Sequence, residues 1–128
     1  MSTLKTAKVK TTTIADELDT ESTAVTNVIN GSAKAWVNFV GTGTVSIRRG
    51  FNVSSITDNG TGDHTINFTT AMTDANYSSL FTNGELDTSY WGPIPYIYSQ
   101  ATASVRVRSV FATGSFSDAS SCNVIVFR

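Results

Sequence analysis

The chain has 128 residues, the size of one ordinary domain, of which 40% are hydrophobic and only 15% charged. Soluble domains average roughly 25% charged residues, and here 20 Thr, 16 Ser and 9 Asn supply the polar surface instead. A net charge of −1 provides no electrostatic attraction to a phosphate backbone, so nucleic-acid binding is not expected. No basic amphipathic or long apolar stretch predicts membrane insertion.

Residues 1–32 contain few large apolar side chains, and we interpret them as an N-terminal attachment arm, ordered by packing on another surface. Their lysines are not followed by an apolar run, so no signal peptide is predicted. A brief apolar pattern predicts at most a short helical turn around Ile14–Leu18. The single cysteine, Cys122, cannot form an internal disulfide, which favours assembly in a reducing cytoplasm.

Residues 33–128 alternate apolar and polar side chains with period two, the pattern of strands with one buried face. His64, Ile66 and Phe68, for example, fall on one face of a strand that follows the hairpin signal at residues 58–62. Seven or eight such strands, rich in Val, Ile and Thr, predict an all-β fold with a single β-sandwich or jelly-roll-like domain.

The last predicted strand, Asn123 to Arg128, carries apolar residues on both of its faces. Continuous apolar character indicates burial on both sides. We therefore predict that this strand is either central in its sheet or covered by a neighbouring subunit.

The residues needed for chemistry are scarce, and no catalytic residue, metal site or cofactor is predicted. One histidine, His64, is expected to be an exposed or half-buried strand residue, because Asp63 points to the opposite face and cannot orient it. One cysteine and one histidine cannot build a zinc site. The loop from Asp58 to Asp63 lacks the ligand series of a calcium-binding loop and is interpreted as a hairpin turn. Six further acidic residues fall in predicted loops: Asp16, Glu17, Asp19, Glu21, Glu85 and Asp87.

The segment Tyr90 to Tyr98 gathers four aromatic residues and both prolines of the chain. Aromatic faces contact sugars and apolar partners, and proline lowers the entropy cost of ordering. The candidate receptor- or partner-binding residues are Tyr90, Trp91, Tyr96 and Tyr98. The alternative is that these aromatic residues fill a core or a subunit interface. Arg106 and Arg108 share one strand face and are interpreted as a solvated or inter-subunit pair rather than as an anion-binding site.

Four runs of sequence carry a resemblance to a known group of proteins. They are GSAKAWVNF (31–39), GTGTVSIR (41–48), FNVSSITDNGTGD (51–63) and TINFT (65–69). Together they resemble a module of tailed-bacteriophage structural proteins, especially from phages of marine bacteria and cyanobacteria. The resemblance covers roughly residues 31–81 and carries no chemistry.

This resemblance implies a non-enzymatic virion protein, assembled in the host cytoplasm, with other virion proteins as partners and a homotrimer as its expected state. In one interpretation it is tail- or fibre-associated and contacts a host-surface glycan or protein receptor. In another it is a head decoration or cement protein with virion partners only. A third is a small carbohydrate-binding module or hydrolase fragment.

Overall fold

A computed structural model describes residues 12–15, 22–84 and 92–128 of the chain. The chain divides into two compact units, Met1–Ser32 and Ala33–Arg128. In the first unit, strand β1 (Thr13–Ala15) pairs antiparallel with β2 (Ser22–Ala24), and helix α1 (Val25–Gly31) follows directly. The segment predicted as an attachment arm therefore contains secondary structure of its own.

The predicted helical turn around Ile14–Leu18 is wrong for its first two residues, which lie in β1; residues 16–18 lie outside the described residues. The observed helix comes later and has no buried residue and no side-chain N-cap. Its sequence, VTNVING, is rich in poor helix formers, which is why the pattern did not predict it. No helix in the described parts of the chain is long and apolar enough to cross a membrane.

The second unit is a sandwich of two four-stranded antiparallel sheets. Its strands are β3 (Ala33–Val40), β4 (Ser46–Phe51), β5 (Val53–Asp58), β6 (Asp63–Phe68), β7 (Ser78–Gly84), β8 (Ile94–Ala101), β9 (Ser104–Val110) and β10 (Ser121–Phe127). Sheet I has the order β4-β3-β10-β7, and sheet II the order β5-β6-β9-β8. The prediction of an all-β sandwich is confirmed.

The core lies between the sheets and is built from alternate residues of the central strands. Phe39 of β3, Ile66 of β6, Val105 and Val107 of β9, and Val126 of β10 are all completely buried. The ring of Tyr77 belongs to this core, and its hydroxyl donates to the carbonyls of Ala101 and Ser104 at 3.0 and 2.9 Å. The period-two pattern in the sequence thus identifies the inner face of each central strand.

The terminal apolar strand β10 is central, between β3 and β7, which is the first of the two alternatives predicted for it. Cys122, Val124 and Val126 face the core and are buried, whereas Ile125 on the outer face is 39% exposed. β9 is likewise central in sheet II, between β6 and β8.

A single residue, Asn52, connects β4 of sheet I to β5 of sheet II. Its φ is 55°. Asparagine tolerates this left-handed conformation better than most residues. Its side-chain amide donates to the carbonyls of Lys34 and Thr70 at 3.0 and 3.1 Å, and its side-chain oxygen accepts from the Thr70 amide at 2.7 Å. These hydrogen bonds fix the corner between β4 and β5.

Candidate functional site

Two of the four predicted binding residues, Tyr96 and Tyr98, lie on edge strand β8 of sheet II; Tyr90 and Trp91 lie outside the described residues. Tyr96 is paired with Arg108 of β9, and Arg108 is paired with Asp63 of β6. Directly paired residues share a face of the sheet. The register therefore brings a tyrosine, an arginine and an aspartate together on the outer face of sheet II.

A break in the register between Ile97 and Ser99 leaves Tyr98 as an extra residue in β8. A bulge of this kind redirects a side chain, and here the Tyr98 ring lies against the two arginines. The guanidinium carbon of Arg108 is 3.4 Å from the ring centroid, and that of Arg106 is 5.2 Å away. We call Asp63, Tyr96, Tyr98, Arg106 and Arg108 the arginine–tyrosine cluster.

Asp63 holds both arginines of the cluster. Arg106 donates from Nε to Oδ1 at 2.7 Å and from Nη2 to Oδ2 at 2.8 Å, which is a bidentate pair. Arg108 donates from Nε to Oδ2 at 2.7 Å. Arg106 and Arg108 are therefore ion-paired within the chain and are not simply a solvated pair, while their contact with another subunit stays a prediction.

Burial raises the pKa of the Asp63 carboxyl, but the hydrogen bonds and positive charges of Arg106 and Arg108 outweigh that effect and lower it below its ordinary value of 3.8. The carboxylate is therefore ionised at neutral pH. Two guanidinium groups share one carboxylate, so these three side chains together keep one positive charge.

The cluster is accessible at its aromatic edge. Tyr98 is 49% exposed, and Phe116, whose ring centroid is 5.6 Å from the guanidinium carbon of Arg108, is 45% exposed. The Arg106 and Arg108 side chains are 34% and 20% exposed. A molecule resting on this face would meet aromatic rings and charged donors at once.

The hydroxyl and amide side chains beside the cluster hydrogen-bond to one another across β5 and β6. Asn67 donates to Ser55 and Thr57 at 3.0 and 2.9 Å, and Asn59 donates to Thr65 at 2.8 Å. The outer face of sheet II thus presents neutral polar groups next to the arginines.

His64 is 3% exposed, so its expected exposure is wrong. Its neighbours in the alternation, Ile66 and Phe68, face the core, and His64 faces it with them; its ring packs edge-on against Phe39. The imidazole Nε2 makes no hydrogen bond and lies 4.0 Å from Asp118 Oδ1.

Cys122 is also buried, and burial raises the pKa of its thiol to about 11, which leaves it a thiol at neutral pH.

The loop from Asp58 to Asp63 forms the hairpin turn that the sequence predicts. The Asp58 carboxylate accepts a hydrogen bond from the backbone N–H of Gly60 at 2.9 Å. The backbone N–H of Asn59 donates to the backbone carbonyl of Asp63 at 2.9 Å. The Asp63 carboxylate is held by the arginines. No group of three or more metal-ligating side chains occurs among the described residues.

The outer face of sheet I has a different character. Leu80, Ile125, Trp36 and Phe51 are paired in register and form a row across all four strands. Leu80 and Phe51 at its two ends are 58% and 55% exposed. We call these four residues the apolar row.

No family model matches this chain, and neither a curated protein nor a solved structure matches it.

Proposed function

We propose that this protein is a non-enzymatic surface component of a bacteriophage particle that attaches through residues 1–32 and contacts a host-surface glycan or protein through its sandwich. The phage assignment is supported by the resemblance of residues 31–81. The contact surface we propose is the arginine–tyrosine cluster with Phe116.

The observation that carries the binding role is the half-exposed Tyr98 ring lying against a guanidinium. Tyrosine and arginine are the residue types most often responsible for binding energy at interfaces. A tyrosine has few rotatable bonds, so ordering it against a ligand costs little entropy. The neutral hydroxyl and amide groups beside the cluster suit hydrogen bonding to a glycan.

The proposal of a non-enzymatic role is supported by the places of the single histidine and the single cysteine of the chain. His64 and Cys122 are enclosed in the core, and the raised pKa of Cys122 keeps it protonated. A substrate would have to enter the sandwich to meet either of them.

The Tyr98→Ala variant tests the binding role. We expect its binding to host cells to fall by about tenfold or more, the effect of losing roughly 1.4 kcal/mol of contact. The control is Ile47→Ala, which removes an exposed apolar side chain of β4 that belongs neither to the arginine–tyrosine cluster nor to the apolar row. Binding of fluorescently labelled protein to host cells measures both variants. Unchanged binding of Tyr98→Ala, with an unchanged thermal melt, contradicts the proposal.

A head decoration protein with virion partners only is a second candidate, favoured by the apolar row. Soluble domains seldom expose a contiguous apolar strip of this kind unless it contacts a partner. Immunogold microscopy on purified particles separates the two candidates. Gold at the tail or fibres supports the receptor-binding role, and gold spread over the head supports decoration.

A homotrimer is proposed for either placement, with the apolar row as its contact. We expect a sedimenting mass near three times 13.7 kDa and dissociation of the Leu80→Asp variant, because a charge buried in an apolar contact is costly. Thr57→Asp, which adds the same charge on the exposed surface of sheet II, is the control and should stay associated. A wild-type mass of 13.7 kDa at micromolar concentration contradicts the trimer.

A further inference from the structure

We infer that the arginine–tyrosine cluster binds a carboxylate-bearing saccharide, such as a uronic acid unit of a host-surface glycan. This inference rests on the proposed receptor-binding role and assigns the chemistry of its ligand. The carboxylate pairs with the terminal nitrogens of Arg108, and the sugar ring lies along Tyr98.

The first argument is the use of the guanidinium donors. Arg106 directs both Nε and one terminal nitrogen at Asp63, whereas Arg108 directs only Nε. The terminal nitrogens of Arg108 therefore make no hydrogen bond to Asp63. One of their four N–H groups is used by the hydrogen bond to Tyr96, which leaves three for a ligand. Their parallel N–H groups match the two oxygens of a carboxylate.

The second argument is charge. The cluster keeps one positive charge after Asp63 is paired, which one carboxylate balances. The nearby acidic side chains on adjoining segments accept hydrogen bonds from backbone N–H groups: Asp58 accepts from Gly60, and Asp118 accepts from Gly62 at 2.6 Å. A single residual charge fits a monoanion better than the dianion of a phosphate monoester.

The third argument is the setting of Arg108. Its guanidinium carbon lies 3.4 Å from the Tyr98 ring centroid and 5.6 Å from the Phe116 ring centroid, and its side chain is 20% exposed. Stacking on aromatic rings fixes the plane of the guanidinium and removes water from its faces, which strengthens pairing at its edge. The rings also offer an apolar surface to the carbon–hydrogen face of a sugar.

The fourth argument is the neutral polar surface alongside. Hydroxyl and amide groups of Ser55, Thr57 and Asn67 lie on the same face of sheet II as the cluster. A saccharide carries hydroxyls that exchange hydrogen bonds with such groups. The acyl chain of a carboxylate-bearing lipid has no donors or acceptors for them.

The test is direct binding of the full-length protein to polygalacturonate, alginate and hyaluronan, each compared with its carboxyl-reduced form. We expect at least one acidic polysaccharide to bind about tenfold or more tightly than its reduced form, with affinity falling as salt rises. Equal binding of every acidic form and its reduced form, or no binding of any, overturns the inference. A preference for dextran sulfate over all three uronates overturns the carboxylate assignment.

Variants locate the site and separate this inference from the proposed function. Arg108→Gln is expected to remove the preference for the acidic form, and Arg49→Gln, an exposed arginine of sheet I, to keep it. The comparison of acidic and reduced polysaccharides needs no variant, so it decides the inference even if Arg108→Gln fails to fold. Loss of host-cell binding in Tyr98→Ala together with equal binding of acidic and reduced forms leaves receptor binding standing and overturns the acidic ligand. Full host-cell binding by Tyr98→Ala overturns both.

Discussion

Replacing Gly62 with alanine is expected to cost more stability than any other single methyl group added to the hairpin between β5 and β6. Gly62 has a φ of +63°, and an added Cβ would lie 2.6 Å from the carbonyl oxygen of Ser109 and 2.8 Å from the backbone nitrogen and oxygen of Ser117. All three are backbone atoms, so no side-chain rotation relieves the overlap.

The Gly62 backbone also joins the hairpin to its neighbours. Its amide donates to the Asp118 carboxylate at 2.6 Å, and its carbonyl accepts from Ser109 at 2.8 Å. Moving the hairpin away to relieve the overlap would break these hydrogen bonds. We expect a loss of about 3 kcal/mol or more in the free energy of unfolding, measured by urea denaturation.

Gly43→Ala is the control for the Gly62→Ala variant, because it has the same backbone conformation without the crowding. Gly43 has a φ of +62°, and an added Cβ would meet nothing within 4 Å. We expect it to lose only about 1 kcal/mol, the cost of a left-handed alanine. Equal losses for the two variants would show that backbone strain alone governs Gly62 and would contradict the prediction.

Replacing Asp63 with asparagine is expected to produce the second large effect. It leaves two partly buried guanidinium groups without their counter-ion, and Asp63 itself is only 11% exposed on its side chain. Breaking a fully buried ion pair from one side costs about 3–5 kcal/mol. Because both arginines keep some contact with water, we expect a loss of about 2–3 kcal/mol in the free energy of unfolding.

The effect of Asp63 on stability depends on pH in a defined direction. Its folded-state pKa lies below the ordinary value of 3.8, so its contribution is fully present above that value. The contribution is lost as the pH falls below 3.8 towards the folded-state pKa. The Asp63→Asn variant should therefore lose less stability than the wild type on acidification through this range.

Asp74→Asn, which removes the partner of Arg128 in an exposed pair, should change stability little at neutral pH. Parallel acid titrations of wild type and Asp63→Asn would contradict the prediction.

The strands could be predicted from the sequence because each needs only a local pattern. Ala35, Val37 and Phe39 alternate with polar or half-buried residues, and the same three face the core. The alternation also placed His64 with Ile66 and Phe68, which implied its burial. The expectation that His64 is exposed came from residue type, and the pattern was the better guide.

The arginine–tyrosine cluster could not be predicted in the same way. Asp63 and Arg106 are 43 residues apart in sequence, and nothing local indicates that β6 pairs with β9. The bulge that places Tyr98 over Arg108 depends on that pairing as well. The apolar row has the same origin, since Leu80, Ile125, Trp36 and Phe51 are consecutive only across the sheet.

The central position of β10 sets the order in which the protein can fold. β3 and β7 both pair with β10, so sheet I cannot be completed until residues 121–127 have emerged from the ribosome. Until then the hairpin of β3 and β4 has one edge without a neighbour, and non-local pairing of this kind forms slowly. Any chain broken off before Ser121 would keep that edge open and would be prone to aggregation and degradation.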